Sequence, residues 1–264
     1  YRQYHWENGR AVFLVEALGS IFFSSQKSKL ERVNMQDIRR SYSSEKNKET
    51  HADHLIDLLS ANPVYHESGT LLSPTDVTAC KFHIKEQEID NRSFTTLQFI
   101  TEDELFFTEG LLLFSTKEMQ LQKFKIQHTL KPEAKVRHLK GGGRYVWLKQ
   151  EERIEADFLW KNDSIYLSGI HQQYRHFLID PVFDIVDFDL LEDFLWKSEE
   201  EIKYTANPGT DYTFSSNLYS RKYKYKPALW ESNALVRNYP LDGKVAQSLM
   251  EKVPLEVQFK EAGH

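Results

Sequence analysis

The sequence predicts a mostly β protein: a curved antiparallel sheet or half-barrel of about ten strands with a few helices packed on it. Three observations carry this. Segments with period-two alternation follow one another at short spacing between polar or glycine-containing turns. The 264 residues include 17 Phe, 13 Tyr and 5 Trp, the bulky groups that fill the space between a sheet and its cover. One early stretch is apolar at successive positions, as in a strand covered on both faces.

The elements follow in chain order. Tyr1 to Trp6 reads as the middle of a strand and has neither the basic nor the apolar region of a signal peptide, so the natural chain is expected to continue upstream. Residues 10–19 form a central strand broken by one carboxylate, Glu16, which must be paired, hydrogen-bonded or protonated. Residues 24–48 are rich in Lys, Ser, Arg and Glu without a period and read as an exposed excursion. Thr50 and Asp53 make a capping-box-like start for a short helix whose stripe is Leu55, Leu58 and Leu59, ended at Asn62-Pro63.

After Ser73-Pro74 the period becomes two: Cys80, Phe82 and Ile84 face one way, Lys81, His83 and Lys85 the other. Strands follow over residues 94–100, 104–108, 111–115 and 119–128, a meander. In the last, the inward phase slips from Met119 and Leu121 to Phe124 and Ile126, which predicts a β-bulge near Gln122-Lys123. Gly141 to Gly143 is a turn ahead of a strand over residues 145–149. Residues 153–160 set Ile154, Ala156, Phe158 and Trp160 against Arg153, Glu155 and Asp157.

Asn162-Asp163 turns the chain into strands over residues 165–171 and 174–179. Asp184, Asp187 and Asp189 ahead of Leu190, Leu191, Phe194 and Leu195 predict a helix with acids at its start. Residues 206–225 have no clear period. A last helix over residues 243–252 buries Leu249 and Met250 and stops at Pro254. With no internal repeat and no linker, residues 1–264 read as a single β-rich domain.

Charge and composition narrow the function. A net charge of −5 and a pI near 6.1 argue against a nucleic-acid module. A single cysteine, Cys80, excludes a disulfide framework and a multi-cysteine zinc site, and its inward phase beside Phe82 reads as an inert core thiol. No apolar run is long enough for a membrane-spanning helix.

No constellation reads as catalytic, and no cofactor or metal is expected. His51, Asp53, His54 and Asp57 have a spacing that can share a metal on a helix, but read as a solvated face. His171 and His176 flank a possible hairpin turn, and with His128 or His138 they could gather at one sheet end. Glu102, Asp103, Glu104 and Glu109 crowd a turn instead of flanking a groove. Gly141 to Gly143 lacks the Lys-Ser/Thr of a phosphate loop. Residues 219–226 interleave bases with aromatics, which makes Arg221, Tyr223 and Tyr225, with Trp230 beyond them, the candidate ligand or partner surface.

Several segments together resemble the C-terminal region of the carboxypeptidase-like regulatory domain-containing proteins of Gram-negative envelopes. They are the opening Tyr1-Arg2-Gln3, Glu16-Ala17 within a hydrophobic strand, Leu229-Trp230-Glu231-Ser232-Asn233, and the closing Leu255-Glu256-Val257-Gln258-Phe259. The hairpins within residues 110–123 and 143–160 look like the family's paired strands. Leu229 stands where the family has an aromatic, and the aromatic expected after Ser232 is absent.

The resemblance marks Glu16, Trp230, Glu231 and Asn233 as motif residues. It implies a periplasmic or outer-membrane-associated protein with a binding or scaffolding role, no catalytic residue to carry over, and no peptidase activity. The β-sandwich that names the family is expected upstream of these residues. The expected function is therefore a non-enzymatic envelope interaction or scaffold module with an envelope protein as partner. A carrier of an apolar, lipid-like molecule in a half-barrel is the alternative, and an unrecognised hydrolase the third.

Overall fold

The computed structural model describes residues 1–7, 9–23, 30–42, 55, 78–133, 146–161, 163–179, 186–195, 210–212, 218, 223–250 and 253–261. Among them the chain is mostly antiparallel β with four short helices and no closed barrel. It divides into two compact units, one formed by Tyr1–Ser60 with Glu192–His264 and the other by Ala61–Leu191.

In the first unit β1 (Arg2–Glu7), β2 (Arg10–Phe23) and β3 (Leu30–Tyr42) pair antiparallel, and the short β11 (Thr210–Tyr212) adds to β3. The expected two-sided burial of the central strand is observed, with Phe13, Leu14, Val15, Glu16 and Ala17 all buried. The reading of residues 24–48 as an excursion is corrected, because β3 crosses it and buries Val33, Met35 and Ile38. Its polar look comes from Asn34, Asp37, Arg40 and Ser41, which are buried as well. The expected helix over residues 50–62 lies outside the described residues except for Leu55, which is helical and buried.

Helices α1 (Pro227–Ser232), α2 (Ala234–Asn238), α3 (Gly243–Leu249) and α4 (Leu255–Glu261) complete this unit. Pro227 opens α1 at a position whose N–H would have no helical partner. The Asn233 side chain caps α2 by accepting from the N–H groups of Leu235 and Val236, and Asp242 caps α3 in the same way. One core joins Ala11 and Leu14 of β2 to Tyr225, Trp230, Val245, Leu249 and Phe259. The last predicted helix is present, but it ends at Leu249 and leaves Met250 exposed.

In the second unit β4 (Lys81–Ile89), β5 (Arg92–Glu102), β6 (Phe106–Ser115), β7 (Leu121–Leu130), β8 (Val146–Lys161) and β9 (Ser164–Ile179) pair in sequence order, all antiparallel. The bulge expected in β7 is observed: Phe114 faces Leu121 and Leu113 faces Lys123, so Gln122 is the extra residue. Three of the expected breaks are absent. β6 runs unbroken through Gly110, β8 joins residues 146–149 to 153–160, and β9 joins 165–171 to 174–179.

Gly110 has a packing role. It faces Phe99 across the ladder, and the Phe99 ring occupies the space where a side chain at Gly110 would stand. One sheet face carries the cross-strand row Phe99, Gly110, Ile126, Ile154, and beside it Leu97, Leu112, Phe124, Ala156, Ile170. Phe99, Phe124, Ile126, Ile154, Ala156 and Ile170 are all buried. The other face is wet, and Lys123–Asp157 and Lys125–Glu155 cross it as directly opposed ion pairs of 2.8 Å each. Burial would push the Glu155 carboxyl up, but Lys125 and Arg153 beside it outweigh that and hold it below its usual range.

The helix expected after Asp184 is corrected to a strand, β10 (Val186–Leu195). Val186, Phe188 and Leu190 alternate with Asp187 and Asp189, and that period-two pattern outweighs the acidic start signal.

Candidate functional site

Glu16 lies in a cross-strand row, opposite Arg2 on β1 and Arg39 on β3. The geometry is bivalent: Arg2 donates to Oε1 at 2.9 Å and Arg39 to Oε2 at 2.7 Å. Arg2 also donates to the carbonyl oxygens of Tyr239 and Pro240, which ties β1 to the segment after α2. The Arg39 guanidinium lies over the Trp230 ring at 4.1 Å and the Phe259 ring at 4.8 Å.

The same face carries a second buried carboxylate, Asp37. It accepts from the N–H groups of Ile38 and Lys226 and from Trp230 Nε1, each at 2.9 Å. Two guanidiniums, two carboxylates and an indole thus satisfy one another between the strands and the helices. The Tyr225 hydroxyl donates to the Glu256 carboxylate, and burial with that acid at hand pushes its pKa up to about 12.

These contacts correct the expected partner surface. Trp230 is 2% exposed and Tyr225 is 9% exposed, so both belong to the core that seats the helices and neither can stack on a partner. Tyr223 is half-buried, and Arg221 lies outside the described residues. Of the motif residues, Glu16 and Trp230 meet through Arg39, Asn233 is a helix cap, and Glu231 is exposed. Glu16, Trp230 and Asn233 hold the core and the helices in place.

In the second unit the structure assembles a polar row that sequence reasoning left scattered. Thr101, Thr108, His128, Glu152 and Tyr174 are directly opposed on five successive strands. Thr108 Oγ1 and His128 Nδ1 are 2.8 Å apart, and Glu152 accepts from Gln172 Nε2 at 2.7 Å and Lys149 Nζ at 2.9 Å. Burial lowers the His128 pKa, with Lys149 adding to the effect and Glu152 and Asp103 opposing it. A hydroxyl on an imidazole is half of a nucleophile–base pair, but Thr108 is 7% exposed and offers a substrate no approach.

The other candidates disperse. His171 opposes Glu155 on the wet face, whereas His176, five residues along an unbroken strand, points to the opposite face. Asp103 closes the β5–β6 turn by accepting from the N–H groups of Leu105 and Phe106, and Glu102 pairs with Lys131. His51, Asp53, His54, Asp57, His138 and Gly141 to Gly143 lie outside the described residues. Among the described residues no group of His, Cys, Asp and Glu is placed to hold a metal.

A hollow of about 280 Å³ on the wet face is lined by Gln98, Ile100, Glu109, Lys125, Gln127 and Arg153. Phe99, Leu111 and Ile126 add to its walls, which mix apolar with charged and amide groups. The remaining feature is the outer strand β4, at the sheet edge, where Phe82 is 44% and Ile84 67% exposed. The inward phase expected for these two and for Cys80 is therefore corrected: neither face of β4 is covered, and Cys80 is half-buried. No family model, curated protein or solved structure matches the chain.

Proposed function

We propose that the chain is a non-enzymatic interaction or scaffold module of the Gram-negative cell envelope, with a curved, half-barrel-like sheet as its framework. One observation carries the reading. Large exposed apolar side chains stand on the outer strands of the second unit, with Phe82 and Ile84 on one face of the edge strand β4 and Ile89, Ile100 and Phe107 on the other. Phe82 and Ile84, exposed together on a sheet edge, are apolar surface of the kind a protein partner covers. The ionisable groups that converge elsewhere are engaged with one another, as a structural network requires. The resemblance to the C-terminal region of carboxypeptidase-like regulatory domain-containing proteins supplies the compartment, periplasm or outer membrane.

Native mass spectrometry of the protein purified from the cells that make it tests this. A stoichiometric protein partner is expected. Co-purifying lipid without protein would replace the reading with the carrier.

A further inference from the structure

The edge strand β4 has a chemistry that selects its partner. Asp90 and Asn91 both have positive φ, 49° and 58°, and Ile89 opposes Arg92, so β4 and β5 are joined by a two-residue turn of the type that matches strand twist. In such a hairpin the pair closing the turn is hydrogen-bonded, and bonded pairs then alternate along the strands. Ile89, Gln87, Lys85, His83 and Lys81 therefore turn their main-chain groups toward β5. Those of Phe82, Ile84, Glu86 and Glu88 point out of the sheet, and among the described residues no strand pairs with them.

The side chains of this edge are sorted. Lys81, His83 and Lys85 share one face, and their β5 neighbours Ile100, Gln98 and Thr96 are uncharged. Among the described residues neither Lys81 nor Lys85 makes a salt bridge, although the chain as a whole is acidic at −5; Glu102, itself bridged to Lys131, is the acid whose charge Lys81 feels. Phe82 and Ile84 share the other face, with Phe82 against the Phe99 ring at 6.4 Å between centroids, and Glu86 and Glu88 follow them on that face toward the turn. Lysines on an edge discourage pairing with a like strand. They favour a strand that places carboxylates opposite them.

We propose that β4 is a docking edge for an extended segment of another protein in which acidic and apolar residues alternate. The segment adds as a further strand, bonding to the outward main-chain groups of Phe82 and Ile84. Its acids lie across from Lys81, His83 and Lys85, and its apolar side chains cover Phe82 and Ile84. The proposal rests on the interaction-module reading and names the partner's chemistry.

The test uses the whole chain and two fluorescein-labelled heptapeptides, one alternating Glu with Val and one alternating Lys with Val, followed by fluorescence anisotropy. The Glu peptide is expected to bind at least about tenfold tighter than the Lys peptide. In the Lys81→Glu/Lys85→Glu variant that preference reverses. Ile84→Pro removes one outward N–H while leaving the β5 ladder intact, and weakens the Glu peptide by about tenfold or more. A reading on the unaltered protein stands beside the variants: the Glu peptide slows amide exchange at Phe82 and Ile84. Equal binding of both peptides, unchanged binding by Ile84→Pro, or unprotected Phe82 and Ile84 amides would each overturn the proposal. So would concentration-dependent pairing of two copies through β4. If a protein partner co-purifies equally with wild type and Ile84→Pro, the docking mode fails while the interaction-module reading survives. If none co-purifies with either, that reading fails too.

Discussion

Replacing Gly110 by alanine tests how the six-stranded sheet is packed. A methyl group at Gly110 would overlap Cζ and both Cε atoms of Phe99, a ring that is 1% exposed and has no free direction in which to retreat. Carbon atoms settle at about 3.5–4.0 Å, so ring or strand must shift, and overpacking of this kind costs about 1–3 kcal/mol. Against it stands the gain of about 0.5–1 kcal/mol from removing a glycine from a strand interior. The net expectation for Gly110→Ala is a loss of about 1–2 kcal/mol.

The sign should depend on the ring. In a Phe99→Val background the clash is gone, and the same substitution should become stabilising by about 0.5–1 kcal/mol. Urea denaturation of the four proteins of this cycle, with hydrogen exchange of peptides spanning β5 to β7, measures both values. An equal cost in the two backgrounds would show that Phe99 has nothing to do with Gly110, and the packing account would be wrong.

Other expectations follow from the two buried networks. Trp230→Phe keeps the ring over Arg39 but removes the donor to Asp37, a loss of about 1.5–3 kcal/mol in urea denaturation, with faster exchange of the Lys226 amide. Glu16→Gln keeps the shape and leaves two guanidiniums uncompensated, a loss of about 3–5 kcal/mol; a change under about 1 kcal/mol would refute the bivalent pairing. His128 has a folded pKa below its unfolded value of about 6.5, so the stability it contributes is complete above that pH and is lost as pH falls from there through the folded value. Urea midpoints should therefore drop between pH 7.5 and 5.5, and His128→Asn should flatten part of that slope.

The sequence made some features legible for physical reasons. A carboxylate inside an apolar run announced its need for a partner, and Glu16 has two. The slip of inward phase around Gln122 announced a bulge. What stayed hidden depended on distant residues. β3 looked solvated because Asn34, Asp37, Arg40 and Ser41 are polar, and the partner that seats Asp37 is 193 residues away. Gly110 looked like a turn because its usefulness lies in the ring of another strand. Trp230 read as surface because an indole among charged residues suits a core clamp and a partner site equally well. The polar row needed strand register, which follows from pairing partners and cannot be read along one strand.

One unit is assembled from both ends of the chain, with the whole second unit between them. During synthesis Arg2, Glu16, Asp37 and Arg39 leave the ribosome long before Trp230 and Phe259, which finish their enclosure. Strands β4 to β9 of the intervening unit pair with their neighbours in the chain and can fold while the early strands still wait. A ribosome stalled before α1 should therefore display a protected middle and a protease-sensitive beginning, and chaperones would find their substrate in β1 to β3.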